Sequence, residues 1–316
     1  MATSHDVLPP AVAPPPVPVE PVIVPRRRAG RPLAAGLALL VLALVLQSVA
    51  RNAAFRWDVV GRYLTSAAIV QGLLLTLWLT AAVMVLGFAL GTLLAVARLS
   101  GNPVLSALSW GYVWVFRATP VLVQLLLWFN IGALYPTLSL GVPYGPELFS
   151  VRTVNLLGPT VTAILGLTLH EAAFAAEVVR AGILSVDQGQ VEAAQSLGLR
   201  RARVLRRIVV PQAMRSIVPT AGNMLVGTLK GTSIVSVLAV HDLLFSAQLI
   251  YNQTYEVIPL LLVATLWYIA VTSVLSVVQY HVERHYARGS TRGALPPTPY
   301  ARVLAGLRAA RPGVRR

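Results

Sequence analysis

The sequence predicts an all-α, polytopic membrane protein with about six transmembrane helices, and three observations carry that prediction. Of its 316 residues, 56% are hydrophobic and only 12% are charged, giving a mean hydropathy of +0.70. Soluble chains carry about 25% charged residues. Several apolar runs approach the roughly 20 residues that a helix needs to cross a bilayer. The basic residues, 26 against 11 acidic, gather between these runs and at the two ends. A net charge of +15 raises nucleic acid as a partner, but that clustering argues for a lipid bilayer and against nucleic acid. The absence of cysteine excludes disulfides and thiolate metal sites.

Residues 1–25 are rich in proline, with Pro14-Pro15-Pro16 at their centre, and cannot build a core. Together with Arg26, Arg27, Arg28 and Arg31 they make residues 1–32 a disordered, basic cytoplasmic terminus. Leu33 to Val49 is an extra N-terminal transmembrane helix, assigned to residues 33–50. The alternative is a secretory signal with Ser48-Val49-Ala50 as its cleavage site. The length of both the basic and apolar regions favours a retained span.

Tyr63 to Ala97 holds no charge and exceeds one perpendicular span, which predicts tilt or an interfacial start. Within it Gly87 and Gly91 form a small-xxx-small pair that lets another helix come close. Arg98 to Trp110 is a cytoplasmic turn, and Val113 to Leu134 the next span, with Pro120 in a first helical turn. Tyr135 to Arg152 is an outside loop. Thr153 to Val179 is a span carrying His170, Glu171 and Glu177; Glu177 is placed to pair with Arg180, three residues on. Ser216 to Val240, with Pro219, Gly222, Gly227 and Gly231, is a broken span lining something polar. His241 to Glu256 is an outside loop, Val257 to Tyr280 the last span, and residues 289–316 a basic disordered tail. Six spans put both termini inside and leave only Arg51, Arg56, Arg62 and Arg152 outside, as the positive-inside rule requires.

Between the spans, Ser185 to Pro211 is the longest polar interruption. It carries Arg200, Arg201, Arg203, Arg206 and Arg207 within eight positions. Its pattern predicts two short helices. Ser185 with Gln188, or Asp187 with Gln190, fits a capping box, and Gly198 fits a left-handed C-terminal cap. Ala202, Leu205, Ile208 and Val209 share one face of the second helix, and Pro211 stops it or starts the next element. These features alone describe a basic amphipathic loop on anionic headgroups.

The spacing is more specific. Glu192-Ala193-Ala194, three residues, Gly198, nine residues, then Ile208-Val209-Val210-Pro211 resembles the EAA loop of ABC importer permeases, with Val210 in place of leucine. Phe116-Arg117-Ala118-Thr119-Pro120-Val121-Leu122-Val123-Gln124 resembles the FRGTPLLVQ signature of polar amino acid permeases, with Ala118 in place of glycine. Lys230-Gly231-Thr232-Ser233 resembles their K-D-T-S, with Gly231 where aspartate is common. The chain is thus similar to type I ABC importer permeases of the polar amino acid uptake family, from about residue 67 to 288.

That resemblance implies a permease transmembrane domain over residues 63–288, in the bacterial plasma (inner) membrane. It implies a coupling loop, 185–211, that docks on an ATPase through Glu192, Ala193, Ala194, Gly198 and Pro211. The implied partners are two ATP-binding subunits, a second permease subunit and an extracytoplasmic solute-binding protein. Import then proceeds by alternating access. ATP and Mg²⁺ belong to the partner ATPase and no cofactor to this chain. The single lysine, Lys230, follows Leu229, so no G-x-x-x-x-G-K-[ST] phosphate loop exists here. His170-Glu171 lacks a second histidine four residues on, where Phe174 stands, so neither a metal site nor enzyme chemistry is expected.

Charged residues inside spans mark a path or a structural pair. A zwitterionic amino acid needs a carboxylate beside its ammonium and a cation beside its carboxylate. Glu171 and Lys230 fit those roles, with His170, Asn130 and Thr232 adding hydrogen bonds. The competing explanation is a structural pair of Glu171 with Lys230 or His170. At the level of the whole protein, the rivals are a self-sufficient secondary transporter or channel, and a membrane scaffold without transport. Such transporters often carry paired broken helices in inverted repeats, and only one broken segment is evident.

Overall fold

The computed structural model describes residues 30–141 and 147–286. The two tails expected to be disordered, apart from residues 30–32, lie outside the described residues. Among the described residues, those from Gly30 to Ala53 belong to a unit of their own. Its one long helix, α1 (Gly30–Arg51), is apolar on every side, with almost every described side chain exposed. It has the length and composition to cross a bilayer.

The second unit begins with a short amphipathic helix, α2 (Trp57–Leu64), and the 32-residue α3 (Ala67–Arg98). After a tight turn, Asn102 caps α4 (Pro103–Ala118), its side chain accepting from the amides of Val104 at 2.9 Å and Leu105 at 3.3 Å. A bend of 102° separates α4 from α5 (Val121–Phe129). One turn of helix, α6 (Ile131–Leu134), leads into an antiparallel hairpin of β1 (Thr137–Gly141) and β2 (Glu147–Arg152), which pairs Thr137 with Arg152 and Ser139 with Ser150. Another single turn, α7 (Thr153–Leu156), precedes the long α8 (Pro159–Leu184). Next come α9 (Gln188–Ser196) and α10 (Arg201–Val204). A π-helical turn over Leu205–Val209 runs directly into α11 (Val210–Gly231). A 3₁₀ segment, Thr232–Leu238, ends that run. Then α12 (Leu243–Thr254) and α13 (Val257–Tyr286) complete the described residues.

Besides α1, α3, α8 and α13 are individually long and apolar enough to cross a membrane. Counting the bent α4–α5 pair, and the α10-to-3₁₀ run with α12, as one span each raises the number to six. Three buried clusters hold the unit together. One joins α2, α3, α12 and α13 around Val60, Ile69, Leu243 and Leu260. A second joins α3, α5, α8 and the 3₁₀ segment around Leu79, Val83, Leu125 and Val235. The third lies within the Arg-rich loop, around Ala194, Val204 and Val209.

The axis of the unit is the α3–α8 contact, which small residues permit. A Cβ built on Gly91 would lie 2.6 Å from Ala175 Cβ and 2.8 Å from the Ala172 carbonyl, and one on Gly87 3.1 Å from Glu171 Cβ. The expected small-xxx-small approach therefore occurs against α8.

Three segments differ from expectation. Val113 to Leu134 is not one straight helix: helix already starts at Pro103 and breaks at Thr119-Pro120, because proline disfavours helical geometry in the residue before it. Tyr135 to Arg152 is not a plain loop, since Thr137-Leu138-Ser139-Leu140 alternates polar and apolar residues as a strand does. His241 to Glu256 is mostly helix, nucleated by Asp242, whose side chain accepts from the Phe245 amide at 2.8 Å. Ser216 to Val240 is broken as expected: Pro219 sits inside α11, and the break falls in the 3₁₀ segment after Gly231.

Candidate functional site

Two features carry the chemistry: a cavity walled by α4, α8 and α11, and the exposed loop that feeds α11. The cavity wall starts from Pro120. Proline has no amide hydrogen, so the Phe116 carbonyl loses its i+4 partner at the end of α4. Gln124 supplies the replacement from the next helix. Its Nε2 donates to Phe116 O at 2.9 Å, Thr119 O at 3.0 Å and Thr119 Oγ1 at 2.7 Å. The same side chain is 6% exposed and presents Oε1 to His170 Nδ1 at 3.3 Å. Because the amide nitrogen is committed to acceptors, Oε1 is the acceptor and His170 Nδ1 the donor.

On α8, His170, Glu171, Phe174 and Glu177 follow the i, i+1, i+4, i+7 spacing of one face. They line a cavity of about 410 Å³ together with Arg117 of α4 and Thr220, Met224 and Thr228 of α11. Arg117 lies over the Phe174 ring at 5.4 Å, a cation–π arrangement. Glu177 is engaged as expected, with Arg180 Nη2 at 2.7 Å and Nε at 3.1 Å, and Arg98 at 3.9 Å. Glu171 has no ion pair among the described residues. Arg117, Phe174 and Glu177 also line a second cavity, about 510 Å³, with Arg98, Trp110 and Trp114. The Arg117–Phe174 stack therefore stands where two cavities meet.

The structure brings His170 and Glu171 together but separates them from the other predicted path residues. Lys230 lines a different cavity, against α13; two residues beyond Thr228 is roughly 200° around a helix. The Glu171–Lys230 structural pair is accordingly not formed. Asn130 is exposed at the end of α5 and donates back to Leu126 O at 2.8 Å. Thr232 is fully buried, its hydroxyl donating to Leu229 O at 2.7 Å. Arg117, Phe174 and Gln124 were not among the candidates. Two of them lie in the motif 116–124, and the missing ligand of Phe116 was a readable signal for Gln124.

The Arg-rich loop forms as its caps dictate. Asp187 accepts from the Gln190 amide at 3.2 Å and opens α9. Gly198, at φ +73°, ends it: its amide donates to Gln195 O at 2.9 Å and that of Leu199 to Ala194 O at 3.2 Å. These are the two bonds of a Schellman motif. Glu192, Ala193 and Gly198 are exposed, and Leu197 is 81% exposed at the tip. Ala194 instead faces the loop's own core, at 4% exposure. On the second helix Val204, Ile208 and Val209 pack inward, while Ala202 and Leu205 are exposed. The π turn adds a residue to the helical repeat and shifts the expected face. Pro211 stands in the first turn of α11, and Gln212 Nε2 donates to Gln190 Oε1 at 2.6 Å, tying α11 to α9.

Residues 87–288 match the family of binding-protein-dependent transport system inner membrane components. The chain belongs to this family. It is a multi-pass membrane protein of the ABC importer permease class, with the fold expected from its motifs. It is 41% identical over 284 residues to the arginine transport system permease protein ArgU of Corynebacterium glutamicum, covering 90% of this chain and 87% of that protein. It is 35% identical over 201 residues to the nopaline transport system permease protein NocM of Agrobacterium fabrum, covering 64% and 80%. Among solved structures it resembles an amino acid ABC transporter crystallised with histidines. There the TM-score is 0.59 at 32% identity, covering 69% of this chain and 94% of that one.

Proposed function

We propose that this permease imports a polar amino acid, with arginine the first solute to test, and that it does so as the membrane part of an ATP-driven complex. Two ATP-binding subunits, a second permease subunit and an extracytoplasmic solute-binding protein complete that complex. ATP and Mg²⁺ act on the ATPase, and this chain performs no catalysis. Both termini lie in the cytoplasm, with the Arg-rich loop on the same side.

One observation carries the mechanism. The segment from Arg201 through the π turn to Gly231 is one continuous helical run. Its first residues belong to the exposed loop, and its middle supplies Thr220, Met224 and Thr228 to the cavity wall. A rigid helix transmits displacement along its length, so movement of the loop by the ATPase moves one wall of the cavity against α8. Glu192, Ala193 and Leu197 are the exposed contact set for that ATPase. Within the cavity, Glu171 offers a carboxylate to the ammonium or side-chain cation of the solute.

The test is reconstitution of the complex in proteoliposomes with a panel of polar amino acids. ATP-dependent uptake that needs the binding protein, strongest for arginine or another polar amino acid, is the expected result. Uptake driven by an ion gradient without an ATPase supports the secondary-transporter alternative, and no uptake with any solute overturns both.

A further inference from the structure

The second cavity, of about 510 Å³, takes no part in the mechanism proposed above. Three helices wall it. Arg98 is the last residue of α3, Trp110, Trp114 and Arg117 come from α4, and Phe174 and Glu177 from α8. Its volume lies within the roughly 300–1,000 Å³ typical of small-molecule sites.

The charges around this cavity do not cancel. Glu177 is the one carboxylate in its lining, and Arg180 already holds it: Glu177 Oε2 accepts from Arg180 Nη2 at 2.7 Å and from Nε at 3.1 Å. Arg98 reaches Glu177 Oε1 only at 3.9 Å, beyond hydrogen-bond length. Arg117 lies over the Phe174 ring and has no ion pair among the described residues. Three arginines thus surround one carboxylate, and the two that line the cavity keep guanidinium donors for an incoming anion. Both can be reached, since the Arg98 side chain is 24% exposed and Arg117 is exposed outright. A guanidinium fork matches the oxygens of a phosphate.

Depth narrows the source of that phosphate. At about 1.5 Å per residue α3 is about 48 Å long, against about 40–45 Å for hydrocarbon and headgroups together, so its last turn reaches the headgroups. The start of α4 is tied to that turn: Ser106 Oγ donates to Arg98 O at 3.3 Å and Ser109 Oγ to Leu94 O at 2.7 Å. Trp110 and Trp114 follow, stacked at 6.2 Å with 53% and 61% of their surface exposed. Exposed tryptophan at the end of a span is the mark of a membrane interface, and basic pockets between membrane helices suit acidic headgroups. We propose that Arg98 and Arg117 bind the phosphate of an anionic phospholipid, with Trp110 and Trp114 lying against its glycerol backbone. In the orientation proposed above this lipid belongs to the cytoplasmic leaflet. The site requires only that the chain spans a bilayer and does not depend on import. Because Arg117 and Phe174 also wall the Glu171 cavity, the lipid stands one side chain away from it.

The full-length chain, purified in detergent with the subunits that accompany it, is mixed with dioleoyl phosphatidylglycerol or dioleoyl phosphatidylcholine. Lipid retained per permease chain is counted by native mass spectrometry. One phosphatidylglycerol is expected to be retained, about fivefold or more over phosphatidylcholine, the scale of one arginine at an anionic headgroup. Arg98→Gln and Arg117→Gln are each expected to lower that retention about fivefold, whereas Arg206→Gln, in the exposed loop outside the cavity, leaves it unchanged. Equal retention of the two lipids overturns the site. So does an equal loss in Arg206→Gln, which marks unspecific attraction to a positive surface. Displacement of the lipid by millimolar inorganic phosphate overturns the lipid in favour of a soluble phosphate. Dissociation of Arg117→Gln into single permease subunits overturns it in favour of a subunit contact. Where a glutamine variant does not fold, Arg98→Lys and Arg117→Lys, which keep the charge and lose the fork, take its place: partial loss is expected, and wild-type retention in both overturns the site. A complex that retains the lipid but imports nothing removes the import reading and leaves this site standing.

Discussion

Pro120 takes an amide away from Phe116, and Gln124 returns a donor across a 102° bend. Removing that donor leaves the half-buried Phe116 carbonyl without its partner, at about 1 kcal/mol. Gln124→Leu, of similar volume, is expected to assemble with its ATPase yet to show weaker solute binding, since His170 loses its acceptor as well. Wild-type affinity in a folded Gln124→Leu complex rules out the strut. At the other end of the mechanism, Gly198 has open space around a built Cβ, so only its backbone angle constrains it. A non-glycine residue in that region costs about 1–2 kcal/mol, with a β-branched one the worst tolerated. Gly198→Val is expected to insert normally but to lose solute-stimulated ATP hydrolysis, whereas Gly198→Asn retains most of it. Glu171→Gln separates path from scaffold. If Glu171 contacts the solute, the complex assembles and hydrolyses ATP at the basal rate while uptake falls and selectivity shifts. Unchanged uptake removes Glu171 from the path.

At the scale of elements, α3 and α8 pack through glycine and alanine, where no room remains for a methyl group. Gly91→Ala puts a carbon 2.6 Å from Ala175 Cβ and 2.8 Å from backbone. Overpacking of this kind costs about 1–3 kcal/mol, and each kcal/mol shifts the melting temperature of a domain this size by about 2–4 °C. Gly111→Ala, in α4, meets nothing within 4 Å, so the same chemical change there is expected to be neutral or slightly stabilising. Thermal unfolding of the two variants in detergent makes the comparison; equal shifts exclude the close-packed contact as the cause. The π turn at Leu205–Val209 is the other element whose register matters. It lies between the arginines of the loop and the cavity wall, and it turns Leu205 outward where simple helical spacing turns it in.

For the whole molecule, the arrangement of charge predicts orientation. A reporter fused after Ala50 is expected outside, and one fused after Arg288 inside, because the arginine-rich segments resist translocation. A mature protein beginning at Arg51 shows instead that residues 33–50 are a cleaved signal. The α1 helix, apolar on all faces, has the character of a membrane span.

Fold class, the caps of the Arg-rich loop and the family motifs were legible in the chain itself, because each rests on local rules: apolar length, capping residues, left-handed glycine, fixed motif spacing. Glu177 with Arg180 and the Gly87–Gly91 approach were legible for the same reason. What the tertiary structure decided is which side chains share a cavity. Lys230 and Glu171 looked complementary in charge, but the rotation of α11 between Thr228 and Lys230 sends them to different walls. Arg117 and Phe174 lie 57 residues apart in the chain and meet only because α4 packs along α8. Helical periodicity gives the face of a residue on its own helix; the crossing of helices, set by where glycine and alanine allow contact, determines what that face meets.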